Sequence, residues 1–205
     1  STVQPFNIKS EDDNVTINVY DKTAQIGVTV KKQGTKYVYA GGLTKYYFSN
    51  VKNNSTCSMT GFFLRDYLPN GVNAVTLYTG TWSADLNYSI QYYTNKDQTW
   101  KTAASGLNTK SQRSISLDAA TLGLSNGERV MAVQFMFGQV PAGFHETVAP
   151  VLMVQAQPYL TAGYQLLNKG VAAGFVGNKL YSAWSEWTTV VLNPYPAYYP
   201  NTLPK

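Results

Sequence analysis

Period-two alternation of apolar and polar side chains, in short runs separated by turn residues, is the feature that most restricts this chain. It suits strands that bury one face, and no helical stripe competes with it. Val15 to Tyr20 alternates, and Ile26, Val28 and Val30 alternate with Gly27, Thr29 and Lys31. Tyr37 to Tyr39 leads through Ala40-Gly41-Gly42 into Leu43 to Phe48, and Gly61 to Leu68 is broken by the turn signal Pro69-Asn70-Gly71. Further strands are expected over Ala74 to Tyr78, Leu86 to Tyr93, Arg113 to Leu117, Arg129 to Phe137, Pro150 to Ala156, Tyr164 to Asn168, Gly174 to Val176 and Trp184 to Leu192. A single helical turn is expected where Asp118 can cap and Gly123 can stop it. The frequent Tyr, Val and Thr are strand formers and agree with this reading. The expected fold class is all-β, an antiparallel β-sandwich over residues 26–192, with or without two subregions. Residues 1–25 read as a leader or edge strand.

Several function classes fit poorly. The net charge of +5 comes from Lys and Arg scattered along the chain, without the stripe or basic helix of a nucleic-acid reader, so no nucleic acid is expected as a partner. A mild basic excess also suits a protein held near an anionic wall. No run of residues reaches the length of a membrane span, and the first residues lack the pattern of a signal peptide. The chain is expected to be soluble, with any such peptide or anchor already removed. Cys57 is the sole cysteine, which excludes an intrachain disulfide and a cysteine-rich metal site. His145 is the sole histidine and reads as an exposed loop residue, so a histidine metal site cannot be assembled. With no Gly-x-Ser-x-Gly elbow and no phosphate loop, no enzyme activity, cofactor or metal is expected.

The last stretch differs from the rest. Asn193-Pro194-Tyr195-Pro196-Ala197-Tyr198-Tyr199-Pro200 continues to Leu203-Pro204-Lys205, and a run so rich in Pro cannot pair as a central strand. Residues 193–205 read as an extended spacer.

Gly61-Phe62-Phe63-Leu64-Arg65-Asp66-Tyr67-Leu68-Pro69 resembles the aromatic-x-x-Arg-Asp-x-Leu-Pro segment of the conserved-repeat family in wall-anchored proteins of Gram-positive bacteria. The same family is matched by Phe48-Ser49-Asn50, by Tyr78-Thr79-Gly80-Thr81-Trp82, by Phe137-Gly138-Gln139-Val140-Pro141-Ala142-Gly143-Phe144, and by Asn168-Lys169 with Trp184-Ser185-Glu186-Trp187-Thr188. The motifs keep their order from about Ile26 to Leu192. The resemblance implies an immunoglobulin-like sandwich, extracellular and anchored to the cell wall. Host proteins of such modules commonly end in a Leu-Pro-x-Thr-Gly sorting signal, of which Leu203, Pro204 and Lys205 are the first three positions. The implied partner is peptidoglycan, through sortase attachment. A plain Pro-containing tail accounts for the same three residues.

Side-chain parity places three polar residues among apolar ones. Lys32 continues the face of Ile26, Val28 and Val30, Asp66 sits between Leu64 and Leu68, and Asn168 follows Tyr164 and Leu166. The trio matches the ingredients of the autocatalytic isopeptide bond found in sandwich domains of Gram-positive pilins and adhesins. Burial would leave Lys32 as a neutral nucleophile, and a protonated Asp66 would hydrogen-bond to the Asn168 carbonyl and shuttle protons as ammonia leaves. The alternative is structural: Lys32 reaches the rim, with Lys31 exchanged for it after a bulge, Asp66 braces the turn, and Asn168 satisfies backbone groups at a strand end.

A structural or adhesive surface module is therefore the expected function. A carbohydrate-binding module is the alternative, because Trp82, Tyr92, Tyr93, Trp100, Trp184 and Trp187 offer flat apolar rings for an environmental or host glycan. Parity sets Trp184 opposite Trp187, so one of the two is expected in the core.

Overall fold

The structure is a computed structural model, and it describes residues 24–193 together with the backbone of strands Phe6–Lys9 and Thr16–Val19. Leu203, Pro204 and Lys205 lie outside the described residues. In chain order the early strands are β1 (Phe6–Lys9), β2 (Thr16–Val19), β3 (Val28–Gly34), β4 (Tyr37–Tyr39), β5 (Leu43–Asn53), β6 (Met59–Tyr67), β7 (Val72–Tyr78), β8 (Thr81–Trp82) and β9 (Asn87–Thr94). After them come β10 (Lys101–Asn108), β11 (Ser114–Ser116), helix α1 (Ala119–Leu122), β12 (Val130–Val140), β13 (Glu146–Val148), β14 (Val151–Ala156), β15 (Gln165–Val176) and β16 (Lys179–Leu192).

Two sheets face each other. One has seven strands in the order β10-β9-β12-β6-β15-β16-β4, the other five in the order β11-β7-β14-β5-β3. All pairings in them are antiparallel except the short β16-β4 contact. This is the all-β, immunoglobulin-like sandwich architecture expected from the sequence. Among the described residues, strands β1 and β2 pair only with each other, as do β8 and β13.

Alternation generates the core directly. Phe62 and Leu64 in β6, Leu152 and Val154 in β14, and Tyr46 and Phe48 in β5 point inward and are buried. At one end, Trp82 stacks on Phe144 at 5.4 Å and meets the edge of Phe137 at 4.7 Å, with Phe135, Tyr88 and Phe62 around them. Such ring pairs add about 0.5–1.5 kcal/mol each beyond their area. Trp82 is completely enclosed, which corrects its reading as a glycan contact: its turn folds the indole inward, where the nitrogen donates to the Thr79 carbonyl.

The helical turn forms as expected. The Asp118 carboxylate accepts from the Thr121 N–H at 2.7 Å, and Gly123 ends the turn at φ 66°, a left-handed conformation that only glycine adopts without strain.

Two expectations about strand number need revision. The runs Tyr164 to Asn168 and Gly174 to Val176 are parts of one strand, β15, because Gly170, Val171, Ala172 and Ala173 continue the pairing with β16 without a break. Strand β10 escapes the alternation rule since it is an edge strand, mostly exposed, with two register shifts against β9.

Candidate functional site

Three strands deliver one polar cluster into the apolar interior. Strand β6 pairs directly with β15, with Asp66 opposite Gly170. Asn168 lies two residues along β15 on the same inward face. Lys32 comes from β3 in the other sheet, where it pairs with Phe48 of β5, and its side chain crosses the space between the layers. Lys32, Asp66 and Asn168 are all buried, while Lys31 is exposed.

The inward aim of Lys32 survives an irregularity in the ladder. The register moves between Thr29 opposite Lys52 and Lys31 opposite Ser49. The extra residue therefore belongs to β5, where Asn50 takes φ 51°, and the parity of β3 is untouched. The Glu146 carboxylate binds that bulge, accepting from the N–H groups of Asn50 and Val51 at 2.9 Å each.

Asp66 stands between the other two groups. Lys32 Nζ lies 2.6 Å from Asp66 Oδ2, and Asn168 Nδ2 donates to Asp66 Oδ1 at 2.7 Å. The second Nδ2 hydrogen goes to the Tyr67 carbonyl at 2.9 Å. Asn168 Oδ1 is buried without a partner. This differs from the expected contact between Asp66 and the Asn168 carbonyl. Tyr67 O can only accept, so the amide turns its nitrogen toward Tyr67 and Asp66 together.

The surroundings weaken the charge on the amine. Burial pushes the Lys32 pKa down from its ordinary value, and the Asp66 carboxylate opposes that shift. Phe48 covers the nitrogen with its ring centroid 4.0 Å away, and the Tyr46 ring lies at 5.4 Å. A buried amine and acid can share one proton as an ion pair or as two neutral groups, and low polarity favours the neutral form.

The other expected site residues are dispersed. Trp184 is 60% exposed and stacks on Tyr67 of the neighbouring outer face at 5.9 Å. Trp187 faces inward, half-buried, and donates to the Thr35 carbonyl. Trp100 is half-buried against Tyr93, with the Arg65 guanidinium 5.1 Å from its ring. Tyr92 is buried. His145 is exposed. Among the described residues no group of three or more His, Cys, Asp or Glu is placed to hold a metal ion, and no helix is long and apolar enough to cross a membrane.

No protein-family model matches the sequence, and no curated protein matches it significantly. Among solved structures, the chain is similar to BcpA, the major pilin subunit of Bacillus cereus, in its D312A form. Identity is 12% and the TM-score 0.42, over 93% of this chain and 48% of the pilin, so the chain spans about half of the pilin's length. It is also similar to ACE19, the collagen-binding subdomain of the Enterococcus faecalis surface protein ACE, with 11% identity and a TM-score of 0.35 over 80% of this chain and 96% of the other. A third neighbour is the collagen-binding domain of a Staphylococcus aureus adhesin, with 10% identity and a TM-score of 0.31 over 82% of this chain and 100% of that domain. These neighbours are surface pilin and adhesin domains.

Proposed function

We propose that this domain is a non-enzymatic structural or adhesive module of a bacterial surface protein, locked by an intramolecular isopeptide bond between Lys32 and Asn168. The observation that carries the reading is the convergence of an amine and a carboxamide, from opposite sheets, on the two oxygens of one buried carboxylate.

The proposed reaction starts from neutral Lys32 and protonated Asp66. Nζ adds to Asn168 Cγ, forming the new C–N bond, while Asp66 gives its proton to Nδ2 and takes one from Nζ. The Cγ–Nδ2 bond then breaks, the carbonyl re-forms, and ammonia leaves. Asp66 ends as it began, and one ammonia is lost per molecule. Contact of one carboxyl group with both nitrogens suits it to carry the proton between them. The core holds the reactants in place of an external catalyst.

Attachment to peptidoglycan through sortase, an extracellular location and a Gram-positive origin rest on the motif resemblance. A second reading, glycan binding, is favoured by the exposed indole of Trp184 with Lys169 and Glu186 beside it. A glycan array tests that surface.

Intact mass under denaturing conditions tests the bond. The folded protein is expected to weigh one ammonia less than its sequence, with Lys32→Ala and Asn168→Ala at full mass and Asp66→Ala blocked or slowed. A well-folded wild type at full mass rules the bond out.

A further inference from the structure

Glycine at position 170 has no backbone reason to be there. It sits inside the long strand β15, paired with Asp66 on one side and Ser185 on the other. Its φ is not in the left-handed region, and glycine in a strand interior weakens it. The reason is space. A Cβ built on Gly170 would overlap the Phe48 ring, lying 2.8 Å from Cζ and closer still to Cε1, and would stand 3.0 Å from Lys32 Cδ. The two groups that fill this space are the Lys32 stem and the ring that covers its nitrogen.

We propose that Gly170 is a positioning residue for the Lys32–Asn168 bond. Its missing side chain forms the floor of a slot in which Phe48 presses the Lys32 stem toward Asp66 and Asn168. The inference rests on the isopeptide reading. It adds that the bare backbone at 170, and not only the reacting trio, sets the rate. Any side chain there pushes on Cδ, two bonds from the attacking nitrogen, and on the ring above it. Attack needs the reacting atoms within about 3–3.5 Å, and a displacement of about 1 Å costs about a hundredfold in rate.

Gly174 supplies an internal control. It lies on the same strand and also lacks room for a side chain, with a built Cβ 2.9 Å from both Met59 Sδ and Phe62 Cδ2, and its nearest neighbours include none of the trio. A general packing defect in β15 would affect both glycines alike.

The experiment follows the fraction of molecules that have lost ammonia, by intact mass at intervals after purification. The proteins are wild type, G170A, G174A, F48L and G170A/F48L, each checked for folding by circular dichroism. G170A is expected to form the bond about a hundredfold more slowly than wild type, and G174A at the wild-type rate despite a lowered melting temperature. Replacing Phe48 removes the ring atoms that the new methyl group meets, so G170A/F48L is expected to regain the rate of F48L. Bond formation in G170A as fast as in G174A overturns the assignment. If G170A does not fold, the comparison of G170A/F48L with F48L decides: equal rates support the slot, and a folded but unlinked double variant overturns it. A wild type at full mass overturns the bond itself and the role of Gly170 with it, whereas a wild type and a G170A that link at the same rate overturn only the latter.

Discussion

Lys32 and Asn168, from opposite sheets of the sandwich, bind the two different oxygens of a single buried carboxylate, that of Asp66. A bond between them would tie the first strand of one sheet to the late strand β15 of the other. It would enclose most of the core in one covalent loop.

That loop predicts a large stability effect. Closures of about 100 residues or more restrict the unfolded chain by about 5 kcal/mol in the loop-entropy treatment used for disulfides. For a domain of this size each kcal/mol moves the melting temperature by about 2–4 °C. Asn168→Ala is therefore expected to melt about 10–20 °C below wild type by calorimetry. Equal melting temperatures would contradict a cross-link.

Lys32 gives a pH signature in molecules that have not formed the bond. In D66N the charge that supported the ammonium is gone, and burial alone depresses the Lys32 pKa below 10.5. Between that depressed value and 10.5 the unfolded chain holds a proton that the folded chain does not, so stability rises with pH. Urea titrations of D66N against K32M/D66N should show D66N gaining on the double variant as pH climbs towards 10.5, then levelling. A constant difference would place the Lys32 nitrogen in water.

Glu128 predicts a dependence of the same sign at the acid end. Its carboxylate accepts from the Thr94 hydroxyl at 2.6 Å and from the Ser125 N–H at 3.0 Å, which hold its pKa down to about 2 from 4.5. A depressed carboxylate contributes its full share above 4.5 and loses it as pH falls through about 2. Wild type should exceed E128Q in stability at neutral pH, and the difference should close on acidification. A gap independent of pH would show that the ionised form is not what is held.

The tryptophans predict contrasting costs. Trp82→Ala opens the aromatic cluster and should cost about 3–5 kcal/mol in denaturant titration. Trp184→Ala, on a side chain 60% exposed, should cost less than about 1 kcal/mol. Similar losses at both positions would mean that Trp184 packs as a core residue.

Much of this was legible in the chain because period two is a local property. A side chain two positions along a strand returns to the same face whatever the partner strand does, so the inward aim of Lys32, Asp66 and Asn168 could be read from their neighbours. The bulge beside Lys32 falls on β5; on β3 it would have turned Lys31 inward instead. Asp118 and Gly123 were equally readable, since capping needs only residues three to five apart. Parity also assigned Trp187 and Trp184 to opposite faces.

Tertiary structure decided what depends on partners remote in the chain. Trp82 looks like any aromatic residue after a turn, and only the arrival of Phe135, Phe137 and Phe144 from later strands makes it core. The orientation of the Asn168 amide is set by the Tyr67 carbonyl, which sheet pairing brings within 2.9 Å. The need for glycine at 170 appears only when Phe48 and Lys32, from the opposite sheet, occupy the space that its side chain would fill. Alternation along a strand states which face a residue takes. The distances that turn three inward polar residues into one reactive cluster come from how two sheets pack, and that is fixed by side chains far apart in sequence.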